Sequence, residues 1–515
     1  MAERAQPISP LPGVGAATLV AALVLGTLAA VALRADSGGM FAFSDWAALR
    51  FTLTQAVLSS VISAGLAIPT ARALARRRFF GRQVLIALLG APFVLPVIVA
   101  ILGILQVFGR AGWISEALGF FGLPAIRVYG LHGVVLAHVF FNLPLATRLL
   151  LQGWQEIPAE QFRLAAQLNC KGMAMFRLLE WPMLKRVLPS VLAVVFAICL
   201  TSFAVALTLG GGPRATTIEL AIYQAFTYDF NLGRAALLST VQLALTAAAA
   251  LVALRFTRKE GFRTGLDRAI RRWDGGSPAI DTFWISATAA FLLLPLSSVV
   301  ISGVVGLLEL PTQVFKAAVI SVAVAVASTS ILLFLALPMA AAVAVGRHSF
   351  VELIGILGLA ASPLVIGTGL FILIRPFVNP TAVALPVTAL VNAVMALPFA
   401  LRILVPAAQE TVTRYSRLAL SLDMKGHVFF ASVLLPRMRA QIGFAAGLAM
   451  ALSMGDLGVI ALFADAQVAT LPLQIYRLMG AYQIQAAAGG ALLLLMLSMG
   501  SFWVLDRGGR WHVET

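Results

Sequence analysis

Apolar residues run along this chain in long blocks separated by short polar stretches, and the block length decides the class of fold. At 1.5 Å of rise per residue, a block of about 20 residues crosses the ~30 Å hydrocarbon core of a bilayer as one helix. Twelve spans are predicted, at 14–33, 51–75, 84–108, 131–152, 189–209, 234–255, 281–306, 315–345, 351–376, 384–408, 441–463 and 484–505. Backbone groups find no partners in lipid, so each span is expected to be helical, with Pro69, Pro92, Pro96, Pro338 and Pro363 kinking helices against their neighbours. The alternating strands of a β-barrel are not seen. The expectation is an all-α polytopic membrane protein.

Composition agrees. Hydrophobic residues make up 60% of the 515 and charged residues 11%, too few to clothe a soluble globule of this length. The first apolar run exceeds the core of a signal peptide, so it is read as an anchor despite Arg4 before it. Two cysteines, Cys170 and Cys199, make no disulfide framework, and no His/Cys cluster suggests a metal.

The net charge of +16 changes the picture only through its placement. Basic residues crowd alternate loops: Arg72, Arg76, Arg77, Arg78 and Arg82 after the second span, Arg163, Lys171, Arg177, Lys185 and Arg186 after the fourth, Arg255 to Arg272 after the sixth. Those loops are expected to be cytoplasmic, and with an even number of spans both termini are too. The intervening loops carry Asp36, Asp45, Glu116, Glu219, Asp229, Glu309 and Asp465 and face outward. Charge on loops between spans does not describe a nucleic-acid interface.

The chain repeats itself. At a shift of 254, residues 144–182 match 398–436 without a gap at 14 of 39 positions, among them Pro144/Pro398, Arg148/Arg402, Arg163/Arg417, Leu164/Leu418, Ala165/Ala419, Leu168/Leu422, Lys171/Lys425, Gly172/Gly426, Phe176/Phe430 and Pro182/Pro436. Leu-Ala-Ile-Pro ending at Pro69 answers Leu-Ala-Leu-Pro ending at Pro338 at a shift of 269; the difference is placed in the loop between third and fourth spans. Both matched loops fall between fourth and fifth spans, so the repeats are parallel. The predicted organisation is one six-helix repeat at 1–255, a basic linker at 256–280 and a second repeat at 281–515.

Within the matched loop, Phe162, Ala165 and Ala166 sit at i, i+3, i+4, and Leu164 with Leu168 at i, i+4, which describes an amphipathic helix. Asn169 and Gly172 tolerate left-handed backbone and end it; a second helix over 173–181 stops at Pro182. Asp423, Gly426 and Pro436 repeat the pattern. Either the two loops are solvated connections alike by ancestry, or they are docking surfaces, with Phe176 and Phe430 as anchors and Ala165 and Ala419 allowing close approach. About 35 residues spent on each connection in matched register favour docking.

The segments RLAAQLNCKGMAMFRLLEWP (163–182) and RLALSLDMKGHVFFASVLLP (417–436) resemble the EAA loop of permease subunits in binding-protein-dependent ATP-binding-cassette importers. The resemblance implies the type I importer permease fold and a coupling helix, carried by Arg163, Ala165, Asn169, Lys171, Gly172, Phe176 and Pro182 and by Arg417, Ala419, Asp423, Lys425, Gly426, Phe430 and Pro436, seated in a cytosolic ATPase. Two copies of that ATPase and a periplasmic substrate-binding protein are the implied partners, with ATP and Mg used by the ATPase. The chain departs from the family in having Arg163 and Arg417 at its glutamate, and Asn169 and Asp423 at its glycine. Fused double permeases of this kind serve ferric-iron and thiamine or thiamine pyrophosphate importers, and residues 201–230 and 452–483 look most like the thiamine permeases. With no G-x-x-x-x-G-K-[ST] loop, hydrolysis belongs to another subunit. No nucleophile elbow or HExxH is present, so no enzymatic role is expected.

Polar residues inside spans are functional candidates. Asp456, paired with Ser202 at the 254 shift, either lines the outer path and attracts a cationic thiazolium ring or caps a helix break after Gly455. His132, His138, Asn142 and Arg148 share the fourth span and its edges; Arg148 and its repeat partner Arg402 in the tenth span are read as snorkelling or interacting with the helix dipole rather than binding substrate. Glu219, Tyr223 and Tyr476 lie in aligned outer segments expected to form an external gate or tight connectors. A major-facilitator carrier also has twelve helices in two parallel halves, but it leaves the paired loops unexplained, and a channel would need a polar pore-lining pattern the spans lack.

Overall fold

The computed structural model describes residues 8–35, 41–90, 94–170, 172–210, 212, 215–256, 277–346, 349–463 and 468–510. Among them there is helix and no strand. Twelve helices form the frame: α1 Leu11–Ala35, α2 Phe43–Arg76, α3 Val97–Phe108, α4 Leu131–Glu156, α5 Trp181–Leu200, α6 Leu232–Phe256, α7 Pro278–Gly306, α8 Thr312–Gly346, α9 Pro363–Ile374, α10 Ala384–Ser421, α11 Arg439–Met454 and α12 Ile484–Arg510. Eleven helical stretches among the described residues are long and apolar enough to cross a membrane. The basic linker falls almost wholly outside the described residues.

Two expected spans are broken. Residues 351–376 fold as Ser349–Ala360 and α9, each 12 residues long, because Pro363 takes the first helical position and Ser362 Oγ accepts Val365 N–H (3.4 Å) as an N-cap. Residues 84–108 likewise divide into Arg82–Leu88 and α3, which begins immediately after Pro96. In α2 and α8, by contrast, Pro69 and Pro338 lie inside continuous helices of 34 and 35 residues. The fifth and eleventh spans break too, leaving short helices Phe203–Leu209 and Gly458–Phe463 after α5 and α11.

The repeats in the sequence are not the packing units. Helix α1 packs against α8, α9 and Ser349–Ala360 of the second repeat, while α7 packs against α2 and α3 of the first. The contacts are close: a Cβ on Gly369 of α9 would strike Thr27 of α1, and one on Gly103 of α3 would strike Pro295 of α7. One core gathers residues of α2–α5 with α7, α12 and parts of α8 and α11; the other gathers α8–α11 with α1 and residues of Phe203–Leu209 and Ile218–Thr227. The repeats have exchanged their first helices, and each core is completed by the other's. Small residues allow it, since helices in lipid gain most from backbones that approach closely; Gly306 on Gly489 and Gly443 on Gly509 do the same for α12.

Candidate functional site

The matched loops share one backbone design. In the first, helix Ala159–Gln167 closes where Cys170 N–H donates to Ala165 O (2.9 Å) and Asn169 N–H to Ala166 O (3.0 Å), with Asn169 at φ 52°. In the second, α10 runs unbroken to Ser421, then Met424 N–H donates to Ala419 O (3.0 Å) and Asp423 N–H to Leu420 O (3.2 Å), with Asp423 at φ 48°. Both are left-handed helix terminations, at the two residues that stand where the EAA pattern has glycine. Lys171 lies outside the described residues.

The second helix of each loop does not stop at its proline. Phe176–Glu180 and Phe430–Leu434 are π-turns, closed by Trp181 N–H on Phe176 O and Leu435 N–H on Phe430 O, and the chain stays helical past Pro182 into α5 and past Pro436 into Leu435–Arg437. A proline disrupts a helix through its missing N–H and its clash with the carbonyl four residues back. The wider turn directly upstream, with the proline at the second helical position, removes both objections.

Side chains divide by face. Ala165, Ala419, Phe162, Met175 and Phe429 are buried in the chain's own cores, and Phe176 and Phe430 are half-buried against them. The anchoring aromatics and small residues therefore fasten the loops to this chain. The faces left open carry Arg163, Asn169, Gly172, Arg417, Asp423 and Lys425, and the leucine pairs Leu164/Leu168 and Leu418/Leu422, each between 56% and 68% exposed. Pro182 and Pro436 are exposed and Gly426 is half-buried.

Among the described residues the first loop is anchored by ion pairs and the second is not. Glu180 is fully buried, paired with Arg72 (2.7 Å) and Arg76 (3.9 Å) of α2, and accepts Trp154 Nε1–H from α4 (3.4 Å). Arg76 and Arg77 reach on to Asp281 of α7 (3.6 and 2.7 Å). Arg72 also lies over the Phe176 ring at 5.5 Å. At the 254 and 269 shifts these positions hold Leu434, Ala408, Ala341 and Val345, all apolar.

At the opposite end, helices Ile218–Thr227 and Leu471–Gly480 are set by one device used twice. Ile218 N–H donates to Thr52 Oγ1 of α2 (2.9 Å), and Leu471 N–H to Ser321 Oγ of α8 (2.7 Å). Thr52 and Ser321 are 269 residues apart, the register of the Pro69/Pro338 match. Tyr223 and Tyr476 come from these helices and pack against one core, with the Tyr223 ring 6.0 Å from that of Tyr228. Glu219 is buried; its Oε1 accepts Gln242 Nε2–H (3.3 Å), while its Oε2 is buried without a hydrogen-bond partner. Each helix ends on a left-handed aromatic residue that is almost wholly exposed, Phe230 (φ 50°) after the first and Tyr482 (φ 59°) after the second.

Between the two ends, Ser202 and Asp456 occupy equivalent helix breaks. Ser202 precedes Phe203–Leu209 without making a side-chain cap. Asp456 Oδ1 accepts Gly458 N–H (3.2 Å) and caps Gly458–Phe463, the structural role open to it. On the fourth span, His138 Nδ1 meets Ser59 Oγ (3.3 Å) and Asn142 donates to Cys199 Sγ (3.3 Å), contacts that tie α4 to α2 and α5.

No protein-family model matches the chain. It is 40% identical over 520 residues to the thiamine transport system permease protein of Brucella abortus, covering 97% of this chain and 95% of the relative. It is 39% identical to that of Escherichia coli K12 and 38% identical to that of Salmonella typhimurium, in both cases over the full length of both chains. The chain belongs to the thiamine transport permease family. A sulfate transport permease of Synechococcus elongatus is similar over only 36% of the chain, at 27% identity. As a member of the thiamine permease family the chain is a multi-pass inner-membrane transport subunit, and the full-length likeness weighs against the ferric-iron and major-facilitator alternatives.

Sequence reasoning passed over three groups in this permease, the Glu180 network, the Thr52/Ser321 anchors, and Phe230 with Tyr482, and read the leucine pairs only as part of an amphipathic helix. The leucines carried a readable signal, the i, i+4 stripe opposite Phe162 and Ala165. Glu180 carried none, since its ion-pair partners Arg72 and Arg76 lie more than 100 residues away.

Proposed function

We propose that this chain is the membrane subunit of an ATP-driven importer of thiamine or thiamine pyrophosphate. The arginine-rich end faces the cytosol, both termini lie there, and the two loops at 159–182 and 414–436 each receive one copy of a separate ATPase. ATP and Mg are bound and used by that partner. The single observation that carries the reading is the duplicated loop: two left-handed turns and two π-turns in register, each presenting a pair of half-exposed leucines beside basic residues. Leucines stranded in water at matched positions of a repeat are what a protein partner covers. Thiamine comes from the full-length identity of 38–40% to thiamine permeases.

The opposite end receives the substrate-binding protein, with Phe230 and Tyr482 on the rim and Tyr223 and Tyr476 between the halves as the gate. Nucleotide-driven closure of the ATPases brings the two loops together and turns the cavity outward. The test is reconstitution in vesicles with the cognate ATPase and binding protein. ATP-dependent accumulation of labelled thiamine is expected; uptake that follows an ion gradient and ignores ATP refutes the importer, and ATP-driven uptake of ferric iron instead refutes the substrate.

A further inference from the structure

The seam between the halves carries a run of aromatic rings that ends on a carboxylate. At the rim Tyr228 is 66% exposed, and its ring and that of Tyr223 stand 6.0 Å apart at 85°. Tyr476, from the second repeat, is half-buried against the same core as Phe203 and Tyr223. Phe203 is next inward, 5.3 Å from Tyr223, and both are buried. A Cβ on Gly458 would stand 3.6 Å from Asp456 Oδ1 and 3.9 Å from Phe203 Cδ1, so the carboxylate and the ring flank the same small residue.

The cap accounts for only half of Asp456. Its Oδ2 is buried without a hydrogen-bond donor, and Asn392, which stands beside it, gives its amide to Ser453 Oγ at 3.1 Å. A buried carboxylate oxygen calls for a positive charge, and no lysine or arginine among the described residues is paired with this one. Aromatic faces attract cations as well, most strongly where water is excluded. The 254 shift puts an uncharged Ser202 opposite Asp456, so this pair of helix breaks carries a single carboxylate.

We propose that Phe203, Tyr223, Tyr476 and Asp456 form a binding site for an aromatic organic cation, whose ring lies among the aromatics and whose charge rests on Asp456 Oδ2. The assignment deepens the proposed function and rests on it: the permanently charged thiazolium of thiamine is such a cation. The rings come from both repeats, so relative movement of the halves assembles or disperses the site.

The test compares labelled thiamine with a neutral analogue in which thiophene replaces the thiazolium, by equilibrium binding to the permease with its ATPase in lipid nanodiscs. The native complex is expected to prefer thiamine by about tenfold or more. Asp456→Asn, whose amide oxygen still accepts Gly458 N–H, is expected to abolish that preference and leave the neutral analogue's affinity in place. Tyr223→Leu is expected to weaken both ligands. A native complex that shows no preference or binds neither ligand overturns the site, as does an Asp456→Asn complex that keeps the preference. Thiamine accumulation by native vesicles separates the two failures: accumulation together with any of those results refutes this site alone, whereas no accumulation refutes the substrate reading.

Discussion

Replacing Glu180 by leucine removes a carboxylate held between two guanidiniums and an indole, and puts there the residue that the second half uses at the equivalent position, Leu434. Removing one member of a buried ion pair costs about 3–5 kcal/mol because the other is left uncompensated. Arg72 is 27% exposed and regains some hydration, while Arg76 keeps Asp281, so the expected loss is at the lower end, about 3 kcal/mol. Arg72→Ala alone leaves Glu180 with Arg76 at 3.9 Å and Trp154, and is expected to cost about 2 kcal/mol. The double variant Arg72→Ala with Glu180→Leu reproduces the Ala341 and Leu434 chemistry of the second half. It is expected to recover at least about 1.5 kcal/mol of the summed single losses. Unfolding midpoints in mixed SDS micelles, run as a double-mutant cycle, give the coupling directly. Losses that simply add would show that the two groups stabilise the protein separately, and the ionic anchor would not exist as described.

Three further outcomes follow from the geometry. Gly172 sits at φ 56°, so Gly172→Pro should cost about 3 kcal/mol or more and abolish coupled transport, whereas Gly426 opens its helix after Lys425 at φ −62°, ψ 146°, a conformation that accepts a following proline. Gly426→Pro should therefore keep most vesicle uptake, and equal loss in the two variants refutes the backbone argument. Leu164→Ser with Leu168→Ser should release the ATPase from the purified permease while leaving the SDS midpoint within about 0.5 kcal/mol of native, since the side chains are exposed; retention of the ATPase in pull-down counts against the docking face. Thr52→Val and Ser321→Ala each free one buried helix N–H and should each lower stability by about 1–3 kcal/mol in the same SDS titration, to similar extents.

What could be read from the sequence followed from forces that act locally or repeat. The spans were legible because lipid imposes a length and an apolar composition, and the turns at Asn169 and Asp423 because few residues besides glycine tolerate a left-handed backbone. Pro182 misled because its effect depends on the turn that precedes it, and nothing in FRLLE or FASVL announces a π-turn. The broken ninth span hid inside a continuous apolar run, since hydropathy does not register where a cap at Ser362 restarts the helix. Ala165 and Ala419 looked like contact residues for a partner because a helix has two faces and the pattern does not say which one the chain keeps for itself. The helix exchange was invisible: parallel repeats fix the pairing of equivalent helices, while which core each first helix enters depends on close contacts such as Gly369 on Thr27.

The exchange gives the asymmetric anchors a common purpose. A force applied to the first loop acts on α2–α5, but that core also contains α7, which belongs to the other repeat in the sequence. Unless α7 is fastened at the level of the loop, the core would shear along that helix. The Arg76 and Arg77 contacts to Asp281, with Thr70 Oγ1 2.8 Å from Thr288 Oγ1, supply the fastening. On the other side α1 must be fastened to α8 at the same level, and there Gly13 packs so tightly on Pro338 and Ala342 that no side chain fits between them. Pro338 and Ala342 stand at the 269 shift from Pro69 and Ala73, in the same turns of α2 that carry the ionic contacts. Among the described residues one core is riveted by charge and the other by backbone contact, so the borrowed helix is fastened to its core beside each loop. Among the described residues the first rivet carries charge and the second does not, so the first is expected to respond more strongly to ionic strength.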